Sequence, residues 1–149
     1  MPAENRHRVE TDTIYALSSG AVPSGVAIIR LSGPAVRFAL ETMTGGVPDA
    51  RRAHLAALRH PDSGELIDSA LVLFFATPAS FTGEDVAEFH VHGGRAVVAA
   101  LLAALACLPG CRPAEPGEFT RRAFENGRMD LTEVDGLAEV VCDVVELPP

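Results

Sequence analysis

SFTGEDVAEFHVHGG, residues 80–94, is the stretch from which the rest of the chain can be read. It opens as a Ser/Thr/Gly turn followed by two acids, Glu84 and Asp85. It then alternates: Val86, Glu88, His90 and His92 share one face, while Ala87, Phe89 and Val91 share the other. Successive side chains of a strand point to opposite faces, so the pattern predicts a strand with an apolar back and a polar front. Gly93-Gly94 ends it directly before an apolar helix. A carboxylate and two imidazoles in a row are more polar groups than a buried strand needs. The structural reading is a solvent-facing strand face; the functional one is a face that binds something.

Working upstream, residues 68–76, DSALVLFFA, form the most hydrophobic predicted strand, placed at the centre of the sheet, and Pro78 stops it. A turn at 60–65 precedes it, and residues 52–59 predict a further strand. Nearer the start, 12–18 (DTIYALS) and 26–31 (VAIIRL) predict strands joined by the turn-rich loop 19–25. Ser32-Gly33-Pro34 turns the chain into a helix over 35–43, with the proline at its first turn, and a loop at 45–49 follows. Residues 1–11 read as a loose arm.

Downstream, 95–108 predicts a helix that is apolar on nearly all sides, suited to the interior or to a subunit boundary. Residues 111–114 predict a short edge strand. A helix over 118–126 follows Pro116-Gly117 and is closed by Gly127. Asp130, with Glu133 in capping-box position, predicts a further helix. Its stripe of Leu131, Val134, Leu137, Ala138, Val141 and Val145 lacks a partner before Pro148-Pro149, so the protein reads as cut short there. Strands and helices in mixed order predict an α+β fold with a mixed or antiparallel sheet and packed helices.

The 149 residues suit one domain with a small appendage, and a hydrophobic share of 48% supplies a core. A formal net charge of −8 and a pI near 5.0 argue against broad phosphate-driven nucleic-acid binding. All 12 basic residues are arginine. Without lysine the chain cannot build a GxxxxGK[ST] phosphate loop or a lysine Schiff base. Three cysteines, Cys107, Cys111 and Cys142, are too few and too odd for a disulfide framework and predict reduced thiols in the cytoplasm. The polar N-terminus and the short apolar runs predict no signal peptide and no membrane association.

Three side chains stand out as ligand-binding candidates. Glu88, mid-strand on the polar face, suits a ligand with adjacent N–H donors, since a carboxylate accepts a matched pair of hydrogen bonds. As structure alone it is a surface glutamate. Arg30, at the end of an apolar strand, needs either an anionic ligand or a structural ion-pair partner. Arg128, after Asn126-Gly127, suits clamping a carboxylate or is a plain surface charge. His90 and His92 share a face as metal ligands would, but a site needs a third ligand and a defined geometry, so no metal and no catalytic residue is assigned.

Three segments together resemble one family. They are DTIYAL followed by SGVAIIRLSGP, then SFTGEDVAEFHVHGG, then RPAEPGEFTRRAFENGRMDLTEVDGLAEVV. In order and spacing they are similar to the N-terminal domain of the tRNA-modifying GTPases called MnmE or TrmE, over residues 12–141. The resemblance implies a fold akin to the folate-binding domain of aminomethyltransferases. It implies a homodimer that binds 5-formyltetrahydrofolate or 5,10-methylenetetrahydrofolate near the dimer interface. It places the family's folate contacts on Arg30, Glu88 and Arg128. Full-length members also use GTP, Mg2+ and K+. With the flavoprotein partner MnmG (GidA) they modify C5 of the wobble uridine of tRNA.

On this resemblance residues 1–11 are an arm, 12–118 the folate-binding domain and 119–149 the start of a helical domain, with the GTPase domain absent. The chain departs from the family in three ways. Arg128 stands where many members have lysine. Residues 21–25, AVPSG, replace a Gly-Arg-Gly-Gly loop. The C-terminal cysteine motif is missing, and Cys142 does not match it. The fragment by itself is therefore expected to bind folate without binding GTP and not to be catalytic alone. The competing readings are a dimerisation module that has lost its ligand and a stand-alone one-carbon transferase.

Overall fold

The computed structural model describes residues 12–128. Its centre is the strand predicted at the outset, β5 (Val86–His92), hydrogen-bonded along its whole length to β2 (Val26–Ser32). Around this pair stand β1 (Thr13–Leu17), β3 (His54–Arg59), β4 (Leu66–Phe75) and β6 (Cys111–Pro113). The six-stranded sheet runs β3-β4-β5-β2-β1-β6. Every neighbouring pair is antiparallel except β1 with β6, which is parallel. The helices are α1 (Val36–Thr44), α2 (Arg95–Ala106) and α3 (Glu118–Glu125). The fold is α+β with a mixed sheet.

Strand periodicity sorts the side chains. Ala27, Ile29 and Leu31 of β2, Ala87, Phe89 and Val91 of β5, and Ala70, Val72 and Phe74 of β4 all join the main core. On the same side α1 contributes Val36, Ala39, Leu40 and Met43, and α2 contributes Val98, Leu101, Ala104 and Leu105. These sets, spaced i, i+3, i+4, i+7 in α1 and i, i+3, i+6, i+7 in α2, are the buried faces of two amphipathic helices. Gly45, left-handed at φ 85°, ends α1 by donating to the carbonyl of Glu41. Pro34 falls just outside α1, ahead of its cap residue Ala35, whose N–H is held by the Thr13 hydroxyl at 2.7 Å. Gly33 has φ 140°, and a Cβ there would lie 2.7 Å from Thr13 Cα, so the turn between β2 and α1 requires glycine.

The described residues cover the opposite side of the sheet only in part. Ile14, Ser32 and Val86 are consecutive cross-strand partners on that side, and all three are buried. The same end carries α3, tied there through Glu118 to Arg112 of β6 and through Arg122 to Glu84. Farther along the face Val26, Leu55 and Leu71 are exposed.

Two expectations need correction. β4 is interior but off-centre, one place from the β3 edge; the centre belongs to β2 and β5. Hydrophobicity alone misplaced it, because an edge-proximal strand also packs on helices. The helix at 95–108 is one-sided: Ala96, Ala99, Ala100 and Ala103 face solvent. Alanine counts as apolar in a pattern yet loses little by exposure, which hid the buried stripe. The helix predicted from Asp130 lies outside the described residues.

Candidate functional site

Register brings the first two candidates together. Arg30 and Glu88 are direct cross-strand partners in the β2–β5 ladder, both pointing to the open side of the sheet. Arg30 donates from Nε at 3.2 Å and from Nη2 at 3.0 Å, both to Oε2 of Glu88. The other carboxylate oxygen, Oε1, accepts from His90 Nε2 at 3.0 Å. A carboxylate only accepts, so this nitrogen of His90 carries the hydrogen. Burial pushes the Glu88 carboxyl up, but the bonds from His90 and Arg30 outweigh it and hold it below its ordinary value. The pair is half-sunk: the Arg30 side chain is 28% exposed and that of Glu88 16%.

Two aromatic rings flank the guanidinium. Its carbon lies 5.5 Å from the centroid of Phe81 and 6.0 Å from that of Phe119 in α3. Such placement uses the negative face of the ring to hold a cation. Among the described residues Nη1 of Arg30 has no hydrogen-bond partner. The site is therefore a corner between the open sheet face, the 80–84 turn and α3, with a fixed carboxylate and a guanidinium that keeps a donor in hand.

Arg128 reaches this corner from behind. Its Nε donates to the carbonyl of Ser80 at 3.1 Å, and the Asn126 amide donates to the carbonyl of Thr82 at 2.8 Å. The end of α3 makes this possible. Gly127 adopts φ 72° and Arg128 N donates to the Ala123 carbonyl, folding the chain back on the turn. Arg128 thus lies against the same turn as Phe81, and no hydrogen bond or ion pair joins it to Arg30 or Glu88.

His90 and His92 engage different carboxylates. His92 Nδ1 lies 2.9 Å from Asp68, whose carboxylate also accepts the His92 N–H at 2.8 Å. Among the described residues no group of three or more His, Cys, Asp and Glu gathers as a metal site. No described helix is long and apolar enough to cross a membrane.

Sequence reasoning missed Phe81, Phe119 and Asn126. Phe81 carried a signal, a large aromatic inside a turn of Ser, Thr and Gly. Phe119 and Asn126 carried none, because their role depends on where α3 docks.

The 80–84 turn is held further by charge. Glu84 accepts from the Ser32 hydroxyl at 2.7 Å and from Arg122 Nη1 at 3.1 Å. Arg122 also donates to Glu118, which is 1% exposed and accepts from two nitrogens of Arg112 at 2.9 and 2.7 Å. Arg112 in turn reaches Asp12 at 3.1 Å.

Comparison with known proteins follows the same boundaries. The family described as GTP-binding protein TrmE N-terminus matches residues 13–128. The tRNA modification GTPase MnmE of Brucella canis is 58% identical over 135 residues, covering 91% of this chain and 30% of that protein. The protein of the same name from Brucella ovis gives the same figures. That of Beijerinckia indica is 57% identical over 140 residues, 94% of this chain and 31% of the relative. The chain spans less than a third of the length of these relatives.

Proposed function

The chain belongs to the TrmE N-terminal family, and from that premise we propose that it binds a reduced folate at the Arg30–Glu88 corner. The ligand is 5-formyltetrahydrofolate or 5,10-methylenetetrahydrofolate. The observation that carries the reading is the joined pair itself, on the open side of the sheet beside Phe81. A pterin offers adjacent N–H donors that a carboxylate accepts in parallel, and Glu88, its carboxyl held below its ordinary value, offers one where the ligand takes over bonds now made by Arg30 and His90. The glutamate tail of folate suits a guanidinium, and Arg30 keeps Nη1 available while Arg128 lies one turn away.

The chain acts as the N-terminal domain of a GTPase that modifies C5 of the wobble uridine of tRNA, working with the MnmG flavoprotein. It forms a homodimer, and exposed Val26, Leu55 and Leu71 on the open side favour a second copy as the covering partner. GTP binding, with its Mg2+ and K+, is assigned outside these residues, because a chain without lysine cannot supply the phosphate-loop cation.

Titration calorimetry with 5-formyltetrahydrofolate tests the reading. Saturable binding is expected, and Glu88→Ala weakens it by about 2–5 kcal/mol, as for loss of one partner of a desolvated charged pair. Absence of binding heat from folded protein overturns it. Sedimentation with and without folate separates it from a dimerisation module that ignores the ligand.

A further inference from the structure

The folate reading gives Phe81 no contact with the ligand itself, and the following rests on that reading. Phe81 is 37% exposed, while its neighbours Ser80 and Thr82 are 6% and 0% exposed. The turn that presents it is pinned on every side. Thr82 Oγ1 lies 2.7 Å from the Ser32 hydroxyl, and Ser80 Oγ donates to the Glu84 carbonyl. The Gly83 carbonyl accepts from Thr77 Oγ1 at 2.6 Å, and Asn126 and Arg128 hold the Thr82 and Ser80 carbonyls. A turn fixed this firmly presents the phenyl ring, partly open to solvent, in one place beside the Arg30 guanidinium. Arg30 does not depend on the ring for its orientation. Phe119, which is buried, flanks the guanidinium on its own, and two bonds to Glu88 fix its edge.

We infer that Phe81 is a specificity-determining residue of the corner: a preformed platform on which the planar, pyrimidinone half of a reduced pterin stacks. Glu88 reads the N–H edge of that ring and Arg30 faces its anionic tail. A rigid aromatic held at one edge of a carboxylate–guanidinium pair selects flat, hydrogen-bonding heterocycles over flexible anions. The selection adds little entropic cost, because the ring is placed before the ligand arrives.

The chain contains no tryptophan, so Phe81→Trp places a single indole on the platform. Wild type, Phe81→Trp, Phe81→Tyr and Phe81→Leu are titrated with 5-formyltetrahydrofolate and, separately, with p-aminobenzoylglutamate, which lacks the pterin. Thermal midpoints of all four confirm folding. The aromatic variants are expected to keep affinity for the folate within about threefold, and Phe81→Leu to lose about tenfold, the scale of one aromatic stacking contact. Binding of p-aminobenzoylglutamate is expected to be the same in all four. The indole emission of the Phe81→Trp variant is expected to shift on saturation with the folate and to ignore p-aminobenzoylglutamate. Equal folate affinity of Phe81→Leu and wild type overturns the platform while leaving folate binding intact. Failure of the wild type itself to bind the folate overturns the folate reading, and the platform with it.

Discussion

Two clusters of opposite charge flank the 80–84 turn, built from the same residue types and left in different states. In one, Glu118 is 1% exposed and both its oxygens are taken by Arg112, by Arg122 and by the N–H of Glu115. In the other, Glu88 is 16% exposed and its partner Arg30, at 28%, keeps Nη1 unbonded among the described residues. The first is closed: its donors and acceptors serve the fold. The second is open, so partners can be exchanged at modest cost. The difference teaches that an ion pair is read by its leftover valence and its access to solvent, not by its presence.

Breaking the closed cluster has the largest expected effect. Glu118→Ala removes the buried carboxylate that Arg112 and Arg122 share, while Arg112 keeps Asp12 and Arg122 keeps Glu84. A loss of about 3 kcal/mol is expected, the lower end for a broken buried pair, because each arginine keeps a second carboxylate. Urea unfolding followed by circular dichroism measures it; a loss below about 1 kcal/mol, the range of exposed pairs, erases the contrast between the clusters.

Glu88→Ala is expected to change stability by about 1 kcal/mol or less, because Arg30 can turn to water. Its effect belongs to ligand binding instead. A stability loss as large as that of Glu118→Ala in the same urea series makes the open pair a structural one.

Acid separates the clusters by slope. Burial pushes both Glu88 and Glu118 up, but their hydrogen bonds and cationic neighbours outweigh it, so both titrate below the ordinary glutamate range when folded. The unfolded chain therefore takes up these protons first. Their contribution is complete above an unfolded value of roughly 4.3 and is lost as pH falls through the lower folded values. Urea midpoints taken from neutral pH downward are expected to fall below that point. Glu118→Gln is expected to flatten the acid limb more than Glu88→Gln does, and the reverse order contradicts the assignment of closed and open.

The smallest effect is expected at Arg121, half exposed and 3.6–4.0 Å from three glutamates. Arg121→Ala is expected to stay within about 0.5 kcal/mol of wild type. A thermal midpoint outside that range shows that proximity to Glu118 matters even without burial.

Much of the fold was legible because its signals are local. The alternation of 86–92 marked β5 to the residue at both ends, and the turn residues at 33–34, 45 and 127 marked where strands and helices stop. β3 and β4 were found with ends off by one or two residues, as one expects where a bulge at Leu58/Arg59 disturbs pairing. What escaped was nonlocal. Arg30 and Glu88 were each legible as charged groups in need of a partner, and the structural reading of Arg30 as half of an ion pair is what the geometry displays. That each is the other's partner depends on register between positions 58 apart in the chain, which no window of sequence carries. Likewise Arg128 read as a carboxylate clamp or a plain surface charge. Its bond to the Ser80 carbonyl exists only because α3 docks where it does.

The parallel pairing of β1 with β6 has a consequence for synthesis. β1 leaves the ribosome well before β6, so one of its two edges stays open until Cys111–Pro113 emerge to fill it. At ordinary elongation rates that wait, roughly a hundred residues, lasts on the order of 5–20 s. Through that interval the edge of β1 opposite β2 has bare N–H and C=O groups. Closure is completed late, by a strand of three residues locked with the Asp12–Arg112 bond. The last strand of the described sheet thus closes the outer edge of an early one.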